Sequence, residues 1–404
     1  MTLDWLIIGG GIHGVHLAAR LLGEAQVSPD SVRIVDPAEK LLDRWRSCTE
    51  VTGMTHLRSP SVHNLDLSPS SLLQFGGKRR RSIPSLFAPP YDRPALSLFD
   101  EHCDRVIERF EIDSIHIRDR AERCEVLEEE VNVHLAQGPS LRSKQIVLAV
   151  GASEQPDWPS WAPREQPRVN HVFEPGFPGL PEHAASVAVV GGGISACQVA
   201  LRLASEGRKV HLVSRHAIRK HQFDSDPGWL GPKFMAGFKR EQDVDRRREM
   251  IAAARHRGSI SPDVARALHF AIQKDELSWH EGEVLELDVR DDQVHLRLCA
   301  DDEVSVDHVL LATGFAAHRP GGSLVDSLVE SASLPCASCG YPIVDRSLRW
   351  HPRVFVSGPL AELELGPTSR NIAGARRAAD VLVSSLRGES TRQEVLSLSG
   401  SRSR

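Results

Sequence analysis

Two glycine runs carry the clearest chemistry in this chain: GGGIHG at 9–14 and GGGISA at 191–196. Each follows a short apolar stretch, WLII in the first case and VAVV in the second, and leads into helix-like sequence. In the first run Gly9 permits a tight turn, Gly11 lets backbone approach a pyrophosphate, and Gly14 lets helix and strand pack closely. The free N–H groups and partial positive charge of the helix N-terminus then face the phosphates. Asp36 ends the next apolar strand, 22 residues past Gly14, where a carboxylate can bind ribose hydroxyls. Glycine turns also serve purely structural ends. The strand before, the helix after and the acid at this distance point instead to a dinucleotide.

The second turn keeps Gly191 and Gly193, has Ser195 inside the run, and places Ala196 where a third glycine would stand. The strand after it ends without an acid, in SRHAIRK at 214–220. Arg215, Arg219 and Lys220 are therefore available for a 2′-phosphate, which a carboxylate there would repel. This favours NADPH over NADH; the alternative is a solvated basic turn.

The elements that must position these turns repeat one plan. A βαβ unit (WLII, VHLAARLL, SVRIVD) is followed by short alternating stretches at 113–135 and by the apolar strand IVLAVG at 146–151. The second unit repeats this order, with KVHLVS at 209–214, alternating stretches at 278–306 and VLLATG at 309–314. Such repetition predicts an α/β protein of two Rossmann-like domains, each with an antiparallel meander. The Pro-rich segment 154–167 reads as a linker, and 321–350 as a loop. The expected boundaries are a first domain over 1–165, an inserted domain over 166–305, a return to the first domain over 306–390, and a flexible tail over 391–404.

Composition narrows the classes. The chain has 404 residues, too many for one ordinary core, and a net charge of −5. That near-balance gives no reason to expect nucleic acid as a partner, and no apolar run reaches the roughly 20 residues of a membrane span. The N-terminus enters a strand at once, so no secretory leader is expected. Seven scattered cysteines imply no disulfide framework and point to a reducing cytoplasm. The only closely paired thiols are Cys336 and Cys339, far in sequence from either glycine turn. The basic run Lys78-Arg79-Arg80-Arg81 reads as a solvated loop. In GPTSRN at 366–371 a helix begins, with Thr368, Ser369 and Asn371 as its cap or as polar contacts for a cofactor.

At this point the chain resembles the two-dinucleotide-binding-domain flavoproteins, and among them the class B flavin monooxygenases, closest to the lysine and ornithine N-hydroxylases. The resemblance rests on DHVLLATGF at 307–315, which contains Thr313 and Gly314, and on the GGGISA turn. It also rests on the stretch from Trp45 to Phe75 with LRSP at 57–60, and on DSDPGW at 224–229. It implies FAD at the first turn and NADPH at the second. The implied reaction takes hydride from NADPH to flavin and puts one atom of O2 into a small-molecule substrate, with N-hydroxylation of an amine foremost. His56 and Arg58 stand where that family passes beneath the flavin, so the resemblance implies substrate contacts for both. The glycine–aspartate pair many relatives carry near the flavin is replaced here by SGPLAELELGP at 357–367. Two other readings remain open: a reductase of the disulfide-reductase fold, which needs paired thiols at the flavin, and a non-catalytic dinucleotide-binding protein.

Overall fold

A computed structural model describes the backbone of residues 2–299 and 302–400, without the side chains of 80, 81, 84 and 387–400. Strand β1 (Leu3–Ile8) feeds the first glycine turn and helix α1 (Ile12–Gly23), and β2 (Val32–Asp36) returns beside β1 in parallel. Helix α2 (Asp43–Thr52) and helix α3 (Leu96–Arg109) follow. Next come β3 (His116–Arg118) and a meander of β4 (Ala121–Val126), β5 (Val131–Leu135) and β6 (Leu141–Leu148). Strand β6 pairs in parallel with β1, so the meander hands the chain back to the centre of the sheet.

The second unit repeats this. Strand β7 (Val169–His171) is followed by β8 (Ser186–Val190), the second turn, helix α4 (Ile194–Ser205) and β9 (Lys209–Ser214). Helices α5 (Val244–Ala254) and α6 (Pro262–Gln273) precede β10 (Leu277–Glu281). A three-stranded meander of β11 (Val284–Arg290), β12 (Gln293–Leu298) and β13 (Glu303–Val306) leads to β14 (His308–Leu311). The chain closes with α7 (Gly322–Ala332), β15 (Arg349–His351), β16 (Val354–Val356) and the long helix α8 (Ile372–Gly400).

Two sheets result. The first runs β15-β16-β6-β1-β2-β3, and the second β10-β9-β8-β14-β7. Parallel strands covered on both faces read as continuous apolar runs, and Leu6, Ile7, Val187 and Val189 are fully buried. Truncating one of the larger of these to Ala costs about 2–5 kcal/mol, because the core cannot close the void.

Three expectations change. The boundary at 305/306 moves, because β14 pairs in register with β8 in the second sheet, Val187 against His308 through Val190 against Leu311. The chain therefore leaves the second unit after Leu311. The segment 321–350 contains helix α7, whose Leu324, Val325 and Leu328 bury one face; with so few turns this periodicity is faint in the sequence. Helix α8 extends through Gly400 into the expected tail, while 401–404 lie outside the described residues. Among the described residues, no helix is long and apolar enough to cross a membrane.

Candidate active site

Both glycine turns open into one continuous cleft of about 2350 Å³ between the two sheets. Ordinary small-molecule pockets are about 300–1,000 Å³, so this space can hold two dinucleotides and a further small molecule. The first turn fits a pyrophosphate by direct geometry. Gly9 has φ +114°, and a Cβ there would stand 2.7 Å from the Ala149 carbonyl oxygen. A Cβ on Gly14 would stand 1.8 Å from the Gly9 carbonyl oxygen, so only glycine lets α1 lie against the turn. A Cβ on Gly11 would meet nothing within 4 Å, because this position faces the open cleft. The phosphates of a dinucleotide need that approach.

Asp36 lines the cleft and also builds it. Its Oδ2 accepts the Gly10 N–H at 2.6 Å and its Oδ1 accepts the Ala38 N–H at 2.9 Å. The carboxylate thus fixes the turn at the cleft wall.

In the second turn Gly191 has φ +152°, and a Cβ there would lie 2.4 Å from the Ala312 carbonyl oxygen. Gly193 and Ser195 line the cleft, whereas Ala196 is fully buried and packs beneath the turn. Arg215 and Arg219 line the cleft, are exposed, and have no hydrogen-bond or ion-pair partner among the described residues. His216 and Arg257 stand in the same lining; neither was singled out from the sequence.

Thr313 and Gly314 are at the cleft, at the C-terminal end of β14. The Thr313 hydroxyl donates to the Asp157 carbonyl and lies 3.1 Å from His171 Nε2. Because His171 Nδ1 accepts the Phe173 N–H at 3.1 Å, its proton sits on Nε2 and points at Thr313. Burial pushes the His171 pKa down to about 4, which keeps this ring neutral. Thr313 therefore ties the second sheet to the linker at 154–167.

The expected catalytic pair divides. Arg58 lines the cleft, but its guanidinium is spent on the second unit: Nε donates to the Gln222 carbonyl at 2.8 Å, and Nη2 to the His221 carbonyl at 2.6 Å and Ser259 Oγ at 3.0 Å. His56 lies outside the cleft lining, with Nε2 donating to the Ser85 carbonyl at 2.7 Å. Its backbone bridges to Ala95. Thr368 and Asn371 also lie outside the lining. Thr368 is buried, with its hydroxyl accepting from Arg377 at 3.3 Å. The Asn371 amide donates to both Asp224 oxygens at 3.1 and 3.2 Å, so it orients a residue that does line the cleft.

His256 is another site residue the sequence did not disclose. It follows Arg255 at the end of α5, lines the cleft and stacks on His221, ring centroids 3.8 Å apart. Its Nδ1 lies 3.1 Å from the Phe223 carbonyl oxygen, which can only accept, so Nδ1 carries the proton and a neutral ring leaves Nε2 as an acceptor. Among the thiols, Cys48 alone lines the cleft, and burial raises its pKa. Cys336 and Cys339 are free and outside the lining. The described part of the basic run, Lys78 and Arg79, is also away from the cleft, with Arg79 paired to Glu101 at 3.0 Å.

Comparison with known proteins agrees with this geometry. Residues 6–153 match an FAD-NAD(P)-binding family model, and 90–257 match a pyridine nucleotide-disulphide oxidoreductase model. No curated relative matches by sequence. Among solved structures, the ornithine N-hydroxylase of Kutzneria sp. 744, with reduced FAD, NADP+ and L-ornithine, superimposes with TM-score 0.79 at 16% identity, covering 96% of this chain and 100% of that one. L-lysine 6-monooxygenase from Pseudomonas syringae gives 0.71 at 20% identity, with 95% and 99% covered. The bacillithiol disulfide reductase of Bacillus cereus gives 0.62 at 16% identity, with 96% and 100% covered. The chain has the fold of the two-dinucleotide-binding-domain flavoproteins, and its two family-model matches overlap over 90–153.

Proposed function

We propose that the protein is an NADPH-dependent FAD monooxygenase that puts one oxygen atom of O2 onto an amine nitrogen of a small-molecule substrate. The other oxygen atom leaves as water, and NADPH supplies the two electrons. One observation carries this reading: both dinucleotide cradles open into a single cleft that contains one thiol and no thiol pair. Electrons delivered from a nicotinamide to a flavin there have no dithiol to enter, as a disulfide reductase would require.

The flavin, when bound, supplies the oxygen chemistry. The chain does the rest. Gly9, Gly11 and Gly14 with the N-terminus of α1 hold the FAD pyrophosphate, and Asp36 takes its ribose. Gly191, Gly193 and Ser195 hold the second dinucleotide, with Arg215 and Arg219 answering the 2′-phosphate. His256 Nε2 takes a proton from the substrate ammonium, because only the neutral amine has a lone pair to receive oxygen. Asn371 orients Asp224, and Arg58 draws the two units together over the cleft. The seven free thiols suit a cytoplasmic setting.

The test is direct. Protein reconstituted with FAD is supplied with NADPH, labelled O2 and a panel of primary amines. Incorporation of one labelled oxygen into an amine, with NADPH and O2 consumed together, is the expected result. Protein that takes up no FAD, or NADPH oxidation that requires a disulfide and yields thiols, overturns the reading.

A further inference from the structure

Beside the cleft, three half-buried guanidiniums share one buried carboxylate. Glu362 is fully buried and stands where the sequence departs from its relatives, in SGPLAELELGP. Three guanidiniums converge on it: Arg248, Arg255 at 3.2 Å and Arg370 at 2.7 Å. Burial alone would raise the Glu362 pKa, but the Arg370, Arg255 and Arg248 charges hold it below the usual carboxylate value. One carboxylate against three arginines leaves two positive charges uncompensated, in a place where unpaired charge is costly. The other carboxylate near Arg255 is Asp224, which also faces Arg58.

The donors show where this excess is directed. Arg370 spends Nε on Glu362, and Nη2 on Glu362 at 3.0 Å and the Tyr341 hydroxyl at 2.7 Å. Arg255 spends Nη2 on Glu362 and on the Pro367 carbonyl at 3.0 Å. Nη1 of each has no protein partner among the described residues, and both side chains line the cleft. Arg248 lies behind them, stacked over the Tyr341 ring at 3.9 Å, and Tyr341 itself is 1% exposed. The arrangement is a pair of free Nη1 groups, one on each guanidinium, with the charge of a third behind them. Charge-assisted N–H donors of this kind bind oxyanions strongly.

We infer that Arg255 and Arg370, backed by Glu362 and Arg248, form a subsite for a doubly charged oxyanion on the substrate, of phosphoryl or phosphonyl type. This rests on the proposed monooxygenase reading only for the word substrate. The amine to be oxidised is thus the other end of a molecule whose far group is a dianion. A simple diamine or a singly charged carboxylate would leave at least one guanidinium charge unanswered. Arg255 and Arg370 share the carboxylate of Glu362, whereas Arg215 and Arg219, which follow β9 in the same cleft lining, do not.

The test uses FAD-loaded protein saturated with NADP+, so that Arg215 and Arg219 are occupied, and titrates it calorimetrically with inorganic phosphate, malonate or acetate. Phosphate is expected to bind at least about tenfold more tightly than acetate, a difference of about 1.4 kcal/mol. Malonate binding as tightly as phosphate would move the assignment from a phosphoryl to a dicarboxylate group and so overturn it. Arg255→Gln is expected to weaken phosphate at least about tenfold, whereas Glu362→Gln, which removes the compensating charge, is expected to tighten it and to enlarge the rise in Tm that phosphate brings. If Glu362→Gln yields no soluble protein, Arg255→Lys replaces it: charge kept without the free Nη1 should weaken phosphate less than Arg255→Gln does. Equal binding of acetate and phosphate, or phosphate binding unmoved by Arg255→Gln, overturns the inference. Neither result depends on turnover, so amine oxidation can fail while the subsite stands, and the reverse.

Discussion

Arg93 in the first unit donates to Asp263 in the first turn of α6 at 3.1 Å, joining the two units through a guanidinium that is 2% exposed and a carboxylate side chain that is 36% exposed. The asymmetry in exposure decides what each substitution does. Asp263→Ala leaves a charge buried with only the Pro89 carbonyl at 3.1 Å to answer it, which should cost about 3 kcal/mol. Arg93→Met leaves a carboxylate that water can reach and keeps much of the packing, so solvent screening limits the loss to about 1 kcal/mol. Urea denaturation of the two variants should show this order; the reverse order would mean the pair is not a buried tie between units.

The glycines of the first turn separate folding from binding. Gly14→Ala forces a Cβ against the Gly9 carbonyl oxygen and should lower the Tm of the flavin-free protein. Gly11→Ala meets no atom of the chain, so that Tm should stay within about 2 °C while FAD affinity falls at least about tenfold. Equal FAD affinity in Gly11→Ala and the parent would place the pyrophosphate elsewhere.

Arg215 and Arg219 should set the choice of nicotinamide dinucleotide. Replacing both with Ser removes two charge-assisted contacts of about 1.5–3 kcal/mol each. KM for NADPH should rise by about two orders of magnitude, with little change for NADH. A parallel loss for both dinucleotides would mean that the arginines do not read the 2′-phosphate.

His256→Asn should slow turnover by about 100-fold or more without changing FAD content, since it deletes the proposed acceptor for the substrate proton. The deficit should shrink at high pH, where solvent deprotonates the amine unaided. A deficit that is flat with pH would make His256 a packing residue.

Several histidines are buried as neutral rings. Burial holds His13 and His171 down to about 4 and His16 down to about 3, against an ordinary value near 6.5. Because the folded values are depressed, the unfolded chain binds more protons as the pH falls. Stability is therefore fully present above about 6.5 and is lost as the pH falls toward 4. Tm measured from pH 7.5 down to 4.5 should drop steadily below about 6, and His16→Asn should flatten the curve. A Tm independent of pH over that range would contradict the burial of these rings.

How legible the protein was follows from how local each requirement is. Gly9, Gly14 and Gly191 are forced by backbone contacts within their own turns and the strand beside them, so they stood out in the sequence. Asp36 stood out for the same reason. Arg215 and Arg219 were legible because a strand end beside a glycine turn has a fixed place in a βαβ unit. His56 was not legible in this way: its ring is held by the Ser85 carbonyl, a contact across 29 residues that leaves no trace in residue type. The 305/306 boundary misled because the closing strand of the second sheet resembles the return to the first.

By itself, then, the sequence determined two glycine turns, the two largely parallel sheets that hold them and the basic end of the second, since periodicity and glycine spacing encode short-range geometry. Only the tertiary structure decided the end of the cleft where the substrate would sit. His256 with its proton on Nδ1, Asp224 held by Asn371, and Glu362 among Arg248, Arg255 and Arg370 come together from segments more than 100 residues apart. Their charges acquire meaning only where folding removes them from water and sets them against one another.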